Sequence, residues 1–195
     1  MEEDIKKAIE ILKAGGIILY PTDTIWGLGC DATNEEAVHK IYTLKQRAET
    51  KSMLVLLDNE AKLDRYVSEV PEMAYSLIEV SDKPITIIYD NAKCLAKNLI
   101  SEDGSIGIRV TRESFSKRLC EQLRRPIVST SANISGAPSP AIFNEISDEI
   151  KNAVDYIVKY RQDDTQKHQA SSIIKLSSNG VIKILRECRA KQNND

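Results

Sequence analysis

Apolar residues recur at helical spacing in four stretches of the chain. In 3–14 they return every three or four positions and two glycines follow, which predicts a helix and its end. The same spacing predicts a helix capped by Asn34, short helices that Pro71 interrupts within 60–80, and a helix over roughly 113–124. The predicted helices lie in the first two thirds of the chain.

Short apolar and β-branched runs between and after these stretches predict strands. They fall at 17–20, 53–57, 85–89, 106–110, 127–129, 154–159, 171–176 and 181–185. The dipeptide Asn179-Gly180 between the last two is a strong hairpin signal. Because strands alternate with helices early and a hairpin comes late, we predict an α/β fold in which helices pack on a mixed sheet. We expect a single domain over 1–195, with a polar, frayed tail at 190–195.

Composition limits the class of protein. There are 27 lysines and arginines against 29 aspartates and glutamates, so the net charge is −2 and the chain has no overall positive field. That balance argues against a protein whose main role is to coat nucleic acid. Apolar residues make up 42% and charged residues 29%, which is typical of a globular protein. With 5% aromatic residues, the chain has too few for extended base stacking.

The sequence also bears on location and metal content. The chain begins Met-Glu-Glu-Asp without an apolar signal region, and its longest apolar run, 16–20, is far shorter than a membrane span. We therefore expect a cytoplasmic protein that does not enter membranes. The four cysteines are scattered without zinc or disulfide spacing, and His39 lies far from His168. We expect neither a metal centre nor a catalytic histidine.

Small polar residues follow the first predicted strand. Pro21 ends that strand, and residues 22–24 (Thr-Asp-Thr) then present two hydroxyls and a carboxylate. Ligands of α/β sheets bind at the carboxyl ends of strands, which makes this segment a candidate site. Gly27 and Gly29 would allow close backbone approach or a positive φ. A polar turn with Trp26 in the core explains the same residues equally well.

Cations and hydroxyls occupy later segments. Lys45 and Arg47 end the second predicted helix, where they either complement the helix dipole or bind an anion, lysine as a point charge and arginine as a fork. Residues 129–136 (Ser-Thr-Ser-Ala-Asn-Ile-Ser-Gly) directly follow a buried strand, and such a loop supplies hydroxyl and N–H donors for phosphate. The loop lacks the Gly-Lys-Ser/Thr of a Walker A sequence. Two serines at 171–172 and Arg186 are uninformative by themselves.

Taken together and in this order, these segments resemble the YrdC-like family of L-threonylcarbamoyl-AMP synthases. The matches are 20–28 (Tyr-Pro-Thr-Asp-Thr-Ile-Trp-Gly-Leu) with the family's PT-[DE]-T-x-[YW]-G-L motif, 45–47 with KxR, 107–110 with the GxRxP strand, 131–133 with SxN, and 171–173 and 184–186 with the ST-[IV] and LR elements. Each motif is short, but the ordered set is specific. The resemblance spans roughly 5–187, which is nearly the whole chain.

The chain departs from the family pattern at several positions. Ala48 and 52–53 (Ser-Met) stand where the family has prolines, and Thr111 replaces the proline of GxRxP. Residues 163–168 (Asp-Asp-Thr-Gln-Lys-His) replace a glycine-rich stretch, and 170–172 (Ala-Ser-Ser) replace Pro-Ser-Thr. The nucleotide and phosphate motifs are intact, and the late departures fall on the wall of the pocket that includes Ser172.

The resemblance implies a nucleotidyltransferase. Its substrates would be L-threonine, bicarbonate and ATP, and its products L-threonylcarbamoyl-AMP and pyrophosphate, with Mg²⁺ carried by the triphosphate. Downstream transferase proteins would use the product to form threonylcarbamoyladenosine in tRNA. In-line nucleotidyl transfer depends on positioning and charge neutralisation more than on a general base, which suits motifs rich in lysine, arginine and serine. The family fold would be a twisted mixed sheet with flanking helices around a concave basic groove.

The resemblance also implies roles for individual residues. Lys45 and Arg47 would be the catalytic pair, with Lys45 offsetting charge on the α-phosphate and Arg47 clamping the threonine carboxylate. The ATP and phosphate contacts would be Lys45, Ser131, Asn133, Arg109 and Arg186. The threonine contacts would be Thr22, Thr24, Arg47 and Ser172, with Trp26 as a flat wall.

Two alternatives use the same residues. A double-stranded RNA or tRNA-binding module of this fold would line its groove with these cations, together with Lys51 and Arg112, since recognition of RNA by shape needs no aromatic residues. The other is a relative that has lost synthesis, or a carbamoyl-adenylate site like that of hydrogenase-maturation carbamoyltransferases, which are longer chains with zinc-finger-like cysteines. The synthase is favoured because an ATP site explains the same residues.

Overall fold

The computed structural model describes residues 1–49 and 53–187, so Lys51, Ser52, Cys188 and the tail at 190–195 lie outside the described residues. The strands are β1 (Ile18–Tyr20), β2 (Gly27–Gly29), β3 (Leu54–Leu57), β4 (Ile85–Tyr89), β5 (Ile106–Val110), β6 (Ile127–Ser131), β7 (Tyr156–Ile157), β8 (Ser172–Leu176) and β9 (Ile182–Arg186). The helices are α1 (Glu2–Lys13), α2 (Glu35–Leu44), α3 (Leu63–Tyr66), α4 (Glu72–Val80), α5 (Ser114–Leu123) and α6 (Asp148–Asn152). Short 3₁₀ turns occur at Glu60–Lys62, Lys97–Leu99 and Phe143–Glu145.

The described strands form a mixed sheet in the order β7-β1-β2-β6-β3-β5-β4-β8-β9. β1 with β7, β3 with β5 and β4 with β8 are parallel pairs, and the other neighbours are antiparallel. The late hairpin joins β8 to β9, and Gly180 adopts a φ of +82° in its turn. The mixed α/β sheet with flanking helices is confirmed.

Capping and amphipathic spacing explain the main helices. The side chain of Asn34 accepts a hydrogen bond from the backbone N–H of Ala37 at 3.1 Å, which satisfies a free donor at the start of α2. The Glu113 carboxylate accepts from the backbone N–H groups of Phe115 and Ser116 at the start of α5. The buried residues of α1 lie on one face, as the sequence predicts.

Helices cover both faces of the sheet. On the first face, Leu19, Leu28, Val55, Ile87, Ile108 and Val128 share a core with Ala37, Val38 and Ile41 of α2 and Ala74 and Ile78 of α4. On the second face, Ile18, Tyr20, Leu56 and Ile127 share a core with Ile5, Ala8 and Leu12 of α1 and Phe115 and Leu119 of α5. The two layers exclude water from both sides of the central strands, the main source of stability in a fold of this kind.

The second face of the sheet extends past the area that α5 covers, and the uncovered part lines a cavity. Side chains alternate along a strand, so Leu54 shares the side of Leu56, and Ser129 shares the side of Ile127. Arg109 lies opposite Leu56 on β5, which places it on this side as well. None of the described helices combines the length and the apolar composition needed to cross a membrane.

Some elements differ from the sequence predictions. β2 was not predicted as a strand, but its three residues are buried and pair with both β1 and β6. Gly27 and Gly29 are not among the described glycines with positive φ. Gly29 instead allows close packing, because a Cβ there would lie 2.6 Å from the Tyr20 ring. β6 extends two residues further than predicted, β7 is two residues long rather than spanning 154–159, and α6 was not predicted.

Candidate active site

A cavity of about 260 Å³ lies on the second face of the sheet. Its floor consists of cross-strand pairs, Gly27 with Ser131, Leu54 with Ser129, Ile88 with Gly107, and Thr86 with Ile173. A Cβ on Gly107 would lie 3.4 Å from side-chain atoms of Leu54 and Thr86. The glycine therefore leaves this part of the cavity floor without a side chain. The side chains of the floor are therefore mostly apolar or small, and serine hydroxyls lie on one side of it.

The cavity brings together residues from every segment that the sequence analysis selected. The predicted residues that line it are Thr24, Trp26, Arg47, Arg109, Ser131 and Arg186. Thr22, Lys45, Asn133 and Ser172 are not among the described lining residues. Thr22, Lys45 and Asn133 are each hydrogen-bonded to a lining residue and form a supporting layer behind the cavity wall, and Ser172 is adjacent in sequence to Ser171, which lines the cavity.

Thr22 holds the turn that presents Thr24. The Thr22 hydroxyl donates to the carbonyl oxygen of Ile25 at 2.8 Å and accepts from the Thr24 backbone N–H at 3.0 Å. The two threonine hydroxyl oxygens are 3.0 Å apart. Because the Thr22 proton is already used, Thr24 donates in that contact and its oxygen retains acceptor capacity toward the cavity.

Trp26 is both a core residue and a wall of the cavity. It is buried, its ring centroid lies 4.9 Å from that of Phe143 in a tilted arrangement, and it lines the cavity beside Thr24. The two explanations that the sequence offered for this segment are therefore compatible. The packing against Phe143 fixes the orientation of the indole.

Arg109 is a buried guanidinium in the cavity wall. It is 3% exposed, and its Nε lies 3.0 Å from Oδ1 of Asp23. The angle of this ion pair is not that of a hydrogen bond, and within the described residues neither atom has a hydrogen-bond partner. Burial of a guanidinium is costly unless a negative charge lies close to it, and the Asp23 carboxylate supplies that charge. Arg109 also lines the cavity, so its planar fork is placed to bind an anion there.

Lys45 lies behind Ser131 and is 1% exposed. Its Nζ donates to the carbonyl oxygens of Ser131 and Asn133 at 2.5 and 2.6 Å and to Oδ1 of Asn133 at 3.4 Å. These three acceptors match the three N–H bonds of an ammonium group. Burial, with a smaller contribution from the nearby Arg47, lowers the pKa of Lys45 to about 8. The lysine places a positive charge behind the wall and anchors the loop that follows β6.

Asn133 shapes the same loop. Its Nδ2 donates to the carbonyl oxygens of Ile134 and Ala137 at 3.1 and 2.6 Å, and its backbone N–H donates to Ser131 at 2.9 Å. The Lys45 carbonyl accepts from the backbone N–H of Ser135 at 2.9 Å, so the loop is fastened to the end of α2 on both sides of the lysine. In this structure Asn133 acts on the cavity through Ser131.

The last motif meets the cavity at Ser171 rather than Ser172. Ser171 is 2% exposed, its hydroxyl lies 2.8 Å from that of Thr86, and its carbonyl accepts from Nε of Arg186 at 2.9 Å. Both Ser171 and Arg186 line the cavity. Successive side chains of a strand point to opposite faces, which is why a shift of one residue decides which serine faces the cavity.

The described thiols and both histidines are not among the residues that line this cavity. Cys30 and Cys120 are buried, and burial raises the pKa of each thiol, while Cys94 is exposed. His39 is exposed and its Nδ1 lies 2.7 Å from Oε1 of Glu49. Across 1–49 and 53–187, no cluster of three or more histidine, cysteine or acidic residues has the arrangement of a metal site.

Two further residues near the site were not selected from the sequence. Ser139 lines the cavity, and Arg161 donates through Nη1 to the carbonyl oxygen of Thr22 at 3.2 Å. Arg161 is 139 positions away from Thr22 and belongs to no motif, so the sequence carried no signal for this contact. Ser139 follows a Gly-Ala-Pro segment that resembles an ordinary loop.

Comparison with known proteins gives the relatives of this chain. The Sua5_yciO_yrdC family model, described as telomere recombination, matches residues 10–188. The chain is similar to a protein named threonylcarbamoyl-AMP synthase from Pseudoalteromonas translucida, with 34% identity over 160 residues, which cover 80% of this chain and 86% of that protein. A second protein of that name, from Riesia pediculicola, is 33% identical over 77% of this chain and 83% of its own length.

Solved structures show the same fold. The structure of YciO from E. coli superposes with a TM-score of 0.82 at 25% identity and covers 96% of this chain and 90% of its own. A variant of Sua5 from P. abyssi superposes with a TM-score of 0.81 at 25% identity, and this chain spans 54% of that longer protein. The family match, the sequence identity and the shared fold together establish that the chain belongs to the Sua5/YciO/YrdC family.

Proposed function

We propose that this chain makes L-threonylcarbamoyl-AMP and pyrophosphate from L-threonine, bicarbonate and ATP. The observation that carries the proposal is that one cavity collects Thr24, Arg47, Arg109, Ser131 and Arg186 from five separate motifs. Relatives named threonylcarbamoyl-AMP synthase match most of the chain, which supports the same activity. The combination of several cations with small hydroxyls suits a triphosphate together with a small carboxylate.

ATP would occupy the part of the cavity between Arg109, Arg186 and Ser131. The two guanidiniums would bind phosphate oxygens, and the Asp23 carboxylate beside Nε of Arg109 would hold that guanidinium in place. Lys45 would add positive charge from behind Ser131. Mg²⁺ would accompany the triphosphate, coordinated mainly by phosphate oxygens and water, because the described residues offer no cluster for it.

Threonine would lie against Thr24 and Trp26. Arg47 lines the same cavity and would bind the carboxylate with its planar fork. The free acceptor capacity of the Thr24 hydroxyl suits the N–H of the threonine amine or carbamate. Ser171 would contact the threonine from the same wall, because Ser171 lines the cavity, and the contact of Ser172 with threonine stays a prediction.

The proposed transfer step needs no general base. The neutral threonine amine first adds to the carbon of bicarbonate and water leaves, which gives the carbamate anion. A carbamate oxygen then attacks the α-phosphorus of ATP as the bond to the β-phosphate breaks and pyrophosphate leaves. The positive groups around the cavity neutralise charge that develops on the phosphates, and the fixed walls hold the two reactants in line. The product then passes to a protein that transfers the threonylcarbamoyl group to tRNA.

The observations favour synthesis over the alternative of RNA binding. Lys45 and Arg109 are almost completely buried, and RNA phosphates lie on the outside of a helix where such side chains do not reach them. Arg112 donates to the carbonyl oxygens of Ile78 and Ser81 at the end of α4, so its fork is used to hold that helix. Lys51 lies outside the described residues.

The test is exchange between ATP and radioactive pyrophosphate. We expect exchange that requires both threonine and bicarbonate. Arg109→Ala should reduce this exchange at least about a hundredfold, because the variant loses a charged hydrogen bond to the ligand and leaves Asp23 without its ion-pair partner. Arg118→Ala is the matched control, because Arg118 pairs with Glu2 away from the cavity. Exchange that does not depend on threonine, or no exchange by the wild type, would overturn the proposal.

A further inference from the structure

The turn that carries Thr24 and Trp26 separates two spaces. Its inner side faces the central cavity, and its outer side faces a small space of about 10 Å³. Arg161, Asp164 and His168, from the segment between β7 and β8, line that outer space. The turn is therefore a thin wall with the proposed substrates on one side and this charged cluster on the other.

Arg161 contacts both other residues of the outer cluster, Asp164 and His168. Its Nη1 donates to the Thr22 carbonyl at 3.2 Å, and its Nε and Nη2 both donate to Oδ2 of Asp164 at 3.0 and 2.8 Å. Nη2 also lies 3.2 Å from Nε2 of His168, which accepts in the neutral imidazole because arginine can act solely as a donor. Nη1 lies 3.9 Å from Oε1 of Glu113 at the start of α5.

The backbone of Arg161 supports a specific role. Its φ of +64° is a left-handed conformation that residues with a side chain adopt rarely. The guanidinium is held from several directions, so it presents a fixed donor to Thr22 rather than a mobile charge. Arg161 does not line the central cavity, and any effect on the reaction must pass through the turn.

Thr22 transmits that contact to the cavity. Its carbonyl is bound by Arg161, while its hydroxyl contacts both the backbone N–H and the hydroxyl of Thr24. Residues 22–24 therefore have their position set from behind, and Thr24 faces the ligand. Arg109 is connected to the same turn by its ion pair with Asp23, while Thr24 is held directly by Thr22, so the nucleotide side should respond to Arg161 less than the amino-acid side does.

We propose that Arg161 is a positioning residue for the amino-acid side of the site, acting through Thr22 on Thr24 and Trp26. The inference rests on the proposed function, because the amino acid is the ligand expected at this wall. It predicts that loss of Arg161 weakens threonine binding much more than ATP binding. The network also gives the 163–168 segment a role in holding Arg161, and this segment departs from the sequence pattern of the family.

The experiment compares Arg161→Ala, Arg161→Lys and Asp164→Asn with Arg118→Ala, which removes an equivalent ion-paired arginine elsewhere. For Arg161→Ala we expect the threonine KM to rise about ten- to a hundredfold, which corresponds to the loss of a charged hydrogen bond. The ATP KM should stay within about twofold of wild type. Arg161→Lys and Asp164→Asn should show smaller rises in the threonine KM, because each keeps part of the network. Arg118→Ala should match wild type.

Fluorescence gives a second readout that does not require catalysis. The chain has one tryptophan, Trp26, so acrylamide quenching reports on this wall specifically. Quenching should increase in Arg161→Ala and remain unchanged in Arg118→Ala. If the wild type makes no product, the proposed function fails, while unchanged quenching in folded Arg161→Ala overturns the inference on Arg161 by itself.

The kinetic outcomes also separate the possibilities. Equal rises in the threonine and ATP KM values, a fall in kcat without a change in the threonine KM, or wild-type kinetics would each overturn the inference. If Arg161→Ala does not fold, Arg161→Lys and Asp164→Asn decide the question. Wild-type threonine KM and wild-type quenching in both would then show that the network does not position the wall.

Discussion

The ammonium group of Lys45 lies 2.5 Å from the carbonyl oxygen of Ser131, a contact that joins parts of the chain 86 residues apart. The same group donates to the carbonyl of Asn133 at 2.6 Å. Lys45 therefore connects the end of α2 to the loop after β6, and it brings a positive charge close to the cavity without entering it. Its position determines both the shape of the loop and the charge behind the wall.

Replacement of Lys45 by methionine should affect stability and activity together. Lys45→Met removes the ammonium donor from the carbonyl oxygens of Ser131 and Asn133, and the Ser131 carbonyl keeps its bond from the backbone N–H of Asn133. We expect the free energy of unfolding to fall by about 2–4 kcal/mol and the exchange activity to be lost. Urea unfolding and pyrophosphate exchange measure the two effects. Lys40→Met is the control, because Lys40 also lies in α2 and donates to a single carbonyl, that of Gly15. Equal stability of the two variants would show that Lys45 is not an anchor.

The pKa of Lys45 predicts uptake of protons when ATP binds. In the free protein that pKa is about 8, and phosphates near the lysine favour its charged form and raise the pKa. At pH 8 we expect ATP binding to take up about half a proton, which follows from titration at the pKa. Calorimetry in buffers with different ionisation enthalpies measures this number. Lys45→Arg should show no uptake, because a guanidinium is always charged. Equal uptake in both proteins would assign the proton to another group.

The same pKa fixes the sign of a stability effect. The folded pKa of about 8 is below the ordinary lysine value of 10.5, so the unfolded chain binds more protons between these pH values. The unfavourable contribution of Lys45 is therefore fully present below pH 8 and is lost as pH rises toward 10.5. Relative to Lys45→Arg, the wild type should gain stability over this range, as measured by denaturant unfolding at several pH values.

The sequence predicted most of the sheet because its strands are short β-branched runs between turn signals. β2 was missed because two of its three residues are glycines, which have poor strand propensity, and tertiary packing between β1 and β6 determines its conformation. α6 was missed because five residues are too few to show helical periodicity. Both elements depend on contacts that a local pattern does not contain.

The sequence located the segments of the candidate site more accurately than the individual side chains. Ser171 and Ser172 differ by one position, and the strand register decides which one faces the cavity. The sequence assigned Lys45 directly to phosphate, whereas its donors contact carbonyl oxygens from a distant loop. Whether Lys45, Asn133 and Ser172 contact substrate stays a prediction, and the structure places Lys45 and Asn133 behind Ser131 of the wall.

Arg47 should contribute to threonine binding more than to ATP binding. It lines the same cavity as Trp26, and its fork matches a carboxylate. We expect Arg47→Ala to raise the threonine KM by about ten- to a hundredfold, as for loss of a charged hydrogen bond, with a much smaller rise in the ATP KM. Steady-state kinetics with each substrate varied in turn measures the split. Arg47→Lys should recover part of the affinity, since it restores charge without the fork. Equal changes in both KM values would show that the carboxylate role is misassigned.

Two glycines of the sheet separate a stability effect from a binding effect. A Cβ at position 29 would lie 2.6 Å from Cε1 of Tyr20 and 3.0 Å from the carbonyl oxygen of Val128, so Gly29→Ala must displace the core. We expect it to lower the free energy of unfolding by about 1–3 kcal/mol, as overpacking does. A Cβ at Gly107 would make ordinary contacts of 3.4 Å with Leu54 and Thr86, and the added methyl group would rise from the cavity floor.

Gly107→Ala should therefore leave stability within about 0.5 kcal/mol of wild type or raise it slightly, because alanine reduces the freedom of the unfolded chain. Its ATP KM should rise, since the methyl group occupies space beside Arg109. Urea unfolding of both variants and ATP saturation curves provide the comparison. If Gly107→Ala binds ATP as wild type does, the nucleotide does not use this part of the floor. If Gly29→Ala unfolds at the wild-type urea concentration, close packing is not what requires a glycine in β2.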